Sequence, residues 1–190
     1  MWAIDHLTPR LLVAIAREAD QRIDALEPTL ASSMLWSLAR LGFLPDARLV
    51  HKLCQVLAGN AEELAAPELA NVWWALGKLM LRPSDAQLAR LLGHSLAEAA
   101  SFSPTHVVDL AWGLARMRSG AVPAYRGGRG KRAGDEAGGV GEEEKALLDC
   151  VLARGSECER AGLLSEEQVR VLRGSRRALR AQGRVPWTPG

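Results

Sequence analysis

Three groups of residues in this chain of 190 residues combine a short polar side chain, a tryptophan and a cation at helical spacing. They are Ser33, Trp36 and Arg40; Asn71, Trp74 and Lys78; and Asp109, Trp112 and Arg116. Residues three and four apart share one stripe of an α-helix. Presented on a surface, such a stripe suits single-stranded RNA: the cation meets a phosphate, the polar group reads a base edge, and the ring or guanidinium stacks on a base. Stacking of that kind is worth about 1 to 3 kcal/mol per base. The same residues also admit a packing reading. In stacked helical hairpins the second helix is buried on two sides, so the rings would be core and Asp109 would pair with Lys78 between hairpins. Packing is the heavier reading for the rings. For the cations, whose stems can snorkel from a packed helix to its edge, the two readings stand level.

The groups recur because the chain repeats. Trp36, Trp74 and Trp112 are spaced at a constant 38 residues, and the neighbouring residues keep the register. Leu35-Trp36-Ser37-Leu38-Ala39-Arg40-Leu41 returns as Trp73-Trp74-Ala75-Leu76-Gly77-Lys78-Leu79 and as Ala111-Trp112-Gly113-Leu114-Ala115-Arg116-Met117. Upstream, Leu12 maps onto Val50 and Leu88, Ile15 onto Leu53 and Leu91, and Leu26 onto Leu64 and Phe102. A unit of this length holds one helical hairpin, which cannot cover its own apolar surface and therefore stacks on its neighbours. The expected fold is all-α: a right-handed helical-hairpin solenoid of about three 38-residue repeats, followed by a Gly-rich linker and short C-terminal helices.

Punctuation places the helices. Thr8-Pro9 opens a first helix running to about Leu26, and Pro28 opens a second that ends near Gly42. Asp46 caps a third through Leu57, and Pro67 starts the helix of Trp74. Ser84 with Gln87 reads as a capping box, and Ser103-Pro104 as a cap followed by a first-turn proline. Strand signals are absent. Ala31, Met34, Leu35, Leu38 and Gly42 project to the side of their helix away from Trp36.

A two-helix unit of 38 residues whose second helix reads L-W-x-L-A-R-L-G, with proline after it, resembles the octotricopeptide repeat family. Leu35 to Gly42 with Pro45 carries the resemblance best. The second unit keeps Asn71 and Trp74 but has Trp73, Gly77 and Met80 where the first has Leu35, Ala39 and Gly42; the third keeps Trp112 to Arg116 but has Ala111 and Arg118. The likeness spans residues 7–123. That family is known chiefly from green algae and is related to organellar proteins with FAST-type leucine-rich regions and RAP domains. The resemblance implies an RNA-binding factor of chloroplasts or the mitochondrial matrix, acting in transcript processing, stability or translation, with other proteins of an RNA-processing complex as further partners. Nothing like a RAP domain is present, and the first residues show no presequence. The chain begins almost inside a repeat, so it reads as the binding part of a longer factor.

Composition changes near residue 120. Residues 1–123 carry 11 Lys and Arg against 12 Asp and Glu, while the remainder carries 13 against 10. A near-neutral repeat region is no electrostatic trap, so nucleic-acid binding must rest on where individual charges sit. The competing functional class is a protein-interaction scaffold without RNA binding, which the same architecture serves and the charge balance mildly favours. Residues 119–141 hold eight glycines and the run Arg126 to Arg132, and are expected as a flexible linker. Residues 142–182 are expected as C-terminal helices, readable as a decayed fourth repeat, with Ser165 to Gln168 as a capping box. Residues 183–190 are expected as a disordered tail. The stretch Arg170 to Arg184 has six arginines and no acid; it reads either as a nucleic-acid-binding segment or as solvated charge.

Enzyme signatures are missing. Gly130-Lys131 fails as a phosphate loop because Tyr125 stands at the first glycine position and Arg132 replaces Ser or Thr. His51 and Cys54 are too few to make a zinc site. No catalytic residue, metal or cofactor is expected. Three cysteines without a C-x-x-C pair argue for a reducing compartment, and no apolar run is long enough for a membrane span.

Overall fold

The computed structural model describes residues 9–44, 46–119, 122–123 and 137–182. The fold is all-α. Helix α1 (Pro9–Gln21) and α2 (Pro28–Arg40) make up the first 38-residue unit, α3 (Ala47–Gly59) and α4 (Ala66–Leu79) the second, and α5 (Asp85–Ala97) and α6 (Pro104–Arg118) the third. Every element start advances by 38 residues, including the 3-10 turns Ile23–Ala25, Ala61–Glu63 and Ala99–Ser101 that close α1, α3 and α5. Helix α1 thus ends earlier than the expected Leu26, while α3 runs on to Gly59, past the expected Leu57; Leu26, Leu64 and Phe102 are extended residues between the turn and the next helix. Leu64 and Phe102 nonetheless point into the core.

Caps formed where their residue types demanded them. Asp46 accepts the Arg48 amide at 2.9 Å. Ser84 and Gln87 exchange both bonds of a capping box, and so do Ser165 and Gln168 at the head of α8 (Glu166–Gln182). Ser103 forms a box with His106, whose Nδ1 accepts the Ser103 amide at 3.3 Å in place of the usual carboxamide or carboxylate. That role requires an unprotonated ring nitrogen, and burial holds the His106 pKa below its ordinary value. Thr8 lies outside the described residues.

The helices pack in two rows. The even-numbered helices α2, α4, α6 and α8 contact one another in chain order; α1, α3, α5 and α7 (Ala137–Arg160) form the second row. One apolar core runs between the rows, from Ala31, Leu35 and Leu53 through Leu69, Leu76, Leu91 and Leu110 to Leu147 and Leu172. Side chains of one unit satisfy backbone carbonyls of the one before. Arg90 donates to Gly59 O at 3.1 Å, and the His94 Nε2 lies 2.9 Å from Leu64 O. Arg154 on α7 donates to Ala100 O and to Phe102 O, the carbonyl equivalent to that of Leu64. Helix α7 packs on α5, and α8 packs on α6.

Two features depart from expectation. Residues 137–141, expected within the linker, are the start of α7. Leu147 and Val151 anchor that helix in the core, and each residue added to its N-terminus gains a hydrogen bond, which offsets the roughly 1 kcal/mol penalty of glycine. A two-residue parallel pairing also exists, strand β1 (Leu81–Arg82) with β2 (Val122–Pro123), joining the segments that follow α4 and α6. Two residues per strand leave no alternating pattern to read. Residues 120–121 and 124–136 of the expected linker, the Arg126 to Arg132 run among them, and the tail 183–190 lie outside the described residues.

Candidate interaction surface on the even helices

The three tryptophans of the 38-residue step meet in a single ladder. The ring centroids of Trp36 and Trp74 are 6.2 Å apart with planes inclined by 44°. Those of Trp74 and Trp112 are 5.9 Å apart at 25°, close to stacked. All three rings are half-buried, neither core nor fully free. The buried indole is instead that of Trp73, fully enclosed and donating its N–H to Ser95 Oγ at 2.8 Å. Trp36, Trp74 and Trp112 thus pack on their counterparts in the neighbouring units, as the packing reading expects, but at the margin of the core and not inside it. The even helices stand side by side closely enough for equivalent rings to pack on each other, which removes much of their apolar area from water.

Close approach of α4 and α6 is set by glycine. A Cβ added to Gly77 would lie 2.6 Å from Gly113 Cα, and one added to Gly113 would fall on the Trp73 carbonyl. Backbone touches backbone there. At the α2–α4 crossing the equivalent slots hold Ala39 and Ala75, so among these three helices glycine meets glycine only between α4 and α6. Ser32 joins α2 to α4 by donating to Glu68 O at 2.9 Å.

Cations frame the ladder. The Arg40 guanidinium lies over the Trp36 ring at 5.3 Å and that of Arg116 over Trp112 at 5.7 Å. Trp74, between them, has a ring on each side. Arg40, Lys78 and Arg116 are all exposed. Among the described residues no ion pair joins Lys78 to Asp109, so the inter-hairpin pairing of the packing reading is not formed.

The polar members differ in environment. Ser33 is exposed and Asn71 half-buried. Asp109 is half-buried one turn before Trp112, and burial pushes its carboxyl up to about 6 from an ordinary 3.8. A raised folded-state pKa means that the folded protein holds this proton more tightly than the unfolded chain. The resulting stability is fully present below about 3.8 and is lost as pH rises through about 6. Asp109→Asn should therefore be the more stable protein at pH 7.5. Discounted for partial exposure, the gain is about 1 kcal/mol, or a melting point higher by roughly 2 to 4 °C. The wild type should close that gap as pH falls from about 6 to about 3.8, and thermal melts of the pair at neutral pH and at the acid end of that window check it; an equal gap at both ends would contradict the assignment.

No other chemistry gathers on this surface. Among the described residues no three His, Cys, Asp or Glu side chains are placed to hold a metal ion. Cys54, on α3, is fully buried, which pushes its thiol up to about 12 and leaves negligible thiolate. Among the described residues no helix is long and apolar enough to cross a membrane. Compared with protein-family models, with curated proteins and with solved structures, the chain matches none of them.

Proposed function

We propose that the chain is a right-handed helical-hairpin solenoid that binds single-stranded RNA along the tryptophan stripe of its even helices. The supporting observation is the continuous ladder Trp36–Trp74–Trp112 with a cation one turn beyond each ring. A row of exposed cations at repeat spacing suits a phosphate chain, and an aromatic surface beside it suits bases. The geometry refines how bases would be met. Because neighbouring rings already pack on each other, a base does not slot between them; it lies against what they leave exposed and on the guanidinium planes of Arg40 and Arg116. Ser33, Asn71 and Asp109 stand one turn before each ring, where they would choose among bases. The resemblance to octotricopeptide repeats extends this reading to transcript processing, stability or translation in a chloroplast or mitochondrion, without catalysis by this chain.

The test is titration of labelled single-stranded RNA at two salt concentrations, against the wild type and an Arg40→Gln, Lys78→Gln, Arg116→Gln variant. If each cation touches one phosphate, the variant should bind every sequence more weakly and lose about 2 from its salt slope, at roughly 0.7 per phosphate. Changes at Ser33, Asn71 or Asp109 should alter base preference instead. A folded variant with unchanged affinity and slope would remove the stripe as the site. Absence of RNA binding by the wild type at low salt, with a protein partner captured in its place, would make the chain a scaffold. A fluorescent reporter fused to the N-terminus encoded by the full-length gene would report the compartment.

A further inference from the structure

Helix α8 carries a second row of cations, and its register shows which way they face. Ser103 and Ser165 are equivalent caps, so Arg170, Arg173 and Arg177 of α8 occupy the places of Val108, Ala111 and Ala115 in α6. Those three α6 residues are buried. In the earlier helices this face meets the next even helix: Ser32 bonds to Glu68 O, and Gly77 abuts Gly113. Where α2, α4 and α6 present small and apolar groups for packing, α8 presents guanidinium groups. The face is thus unsuited to another unit of the same kind. It is suited to a polyanion.

The arginines line a groove of about 790 Å³ with Leu164, Val169 and a single acid, Glu166. Arg173 and Arg176 are tied to Glu159, whose carboxyl the Arg173 bond holds below its usual range. Arg170, Arg177 and Arg180 are exposed and outside that network. At about 100° per residue, Arg170 and Arg177 lie roughly 40° and 60° round the helix from Gly174, the place that carries Trp112 in α6. They border the stripe where the ladder ends.

We propose that this arginine face is a sequence-independent phosphate clamp, holding the backbone of single-stranded RNA beyond the tryptophan stripe. It rests on the RNA-binding reading of that stripe. The test compares the full chain with an Arg170→Gln, Arg177→Gln, Arg180→Gln variant, chosen to spare the Glu159 network, with melting curves to establish that both are folded. The probes are a short oligouridine that covers only the stripe and a longer one that extends past it. The variant should bind the short RNA as the wild type does, and the longer one about tenfold more weakly with a salt slope lower by roughly 2. Equal affinity and slope for the longer RNA, together with weakened binding of both RNAs by the Arg40, Lys78 and Arg116 variant, would overturn the clamp and leave the stripe. No binding of either RNA to the wild type would overturn both. Binding of polyglutamate that the α8 variant loses and RNA does not displace would assign the face to an acidic protein and overturn the clamp.

Discussion

Trp73→Ala is expected to cost roughly 3 to 5 kcal/mol of stability, the largest loss for any single tryptophan in the described structure. The ring is fully enclosed in the one apolar core, and its N–H is satisfied only by the Ser95 hydroxyl. Truncation removes the buried ring, leaves a cavity between α4 and its neighbours, and strands a buried hydroxyl whose lost bond alone costs about 1 to 3 kcal/mol. For a chain of this size the melting point should fall by roughly 6 to 20 °C, at about 2 to 4 °C per kcal/mol. Trp74→Ala should cost less, because that ring is half-buried and loses mainly its contacts with Trp36 and Trp112, worth about 0.5 to 1.5 kcal/mol each beyond area. Thermal melts of the two variants decide the order. A Trp74 variant less stable than the Trp73 variant would mean that the ladder, not the Trp73 pocket, holds the second unit.

That order was hidden in the sequence for a physical reason. Periodicity marks which residues share a register, and it placed the tryptophans and the helix starts of the first three units on one step of 38 residues. It does not say which register faces the interior. Trp73 stands where the other repeats carry Leu35 and Ala111, so it read as a departure from the motif although its position is fully buried. Trp74 kept the motif and proved to be on the rim. Wheel geometry did separate Ala31, Leu35 and Leu38 from Trp36 correctly, because those residues are apolar on both readings. The stacking of equivalent rings could not be read, since it depends on the distance between even helices, and two glycines that look unremarkable in sequence set that distance at α4 and α6. The arginines of α8 were visible as composition; only the packing of α8 on α6 assigned them to the face that earlier helices bury.

Gly113→Ala should destabilise the protein even though it replaces the poorer helix former with the best one. In an exposed helix the exchange would gain about 1 kcal/mol. Here the new methyl would fall on the Trp73 carbonyl, and beside the Trp74 amide at 3.1 Å. The obstacle is backbone on both sides, so no rotamer change relieves it and α4 and α6 must move apart. Overpacking of this kind costs about 1 to 3 kcal/mol and here exceeds the propensity gain. Separation would also loosen the neighbouring Trp74–Trp112 pair, now at 5.9 Å, so the near-ultraviolet circular dichroism of the stacked indoles should weaken along with the melting point. Gly93→Ala on α5 is the matched control, because a Cβ there meets nothing within 4 Å and should raise stability by up to about 1 kcal/mol. If Gly113→Ala melts at or above the wild type while Gly93→Ala behaves as expected, the helices tolerate a wider spacing. In that case the ladder is held by attraction between its rings and not by the glycine crossing.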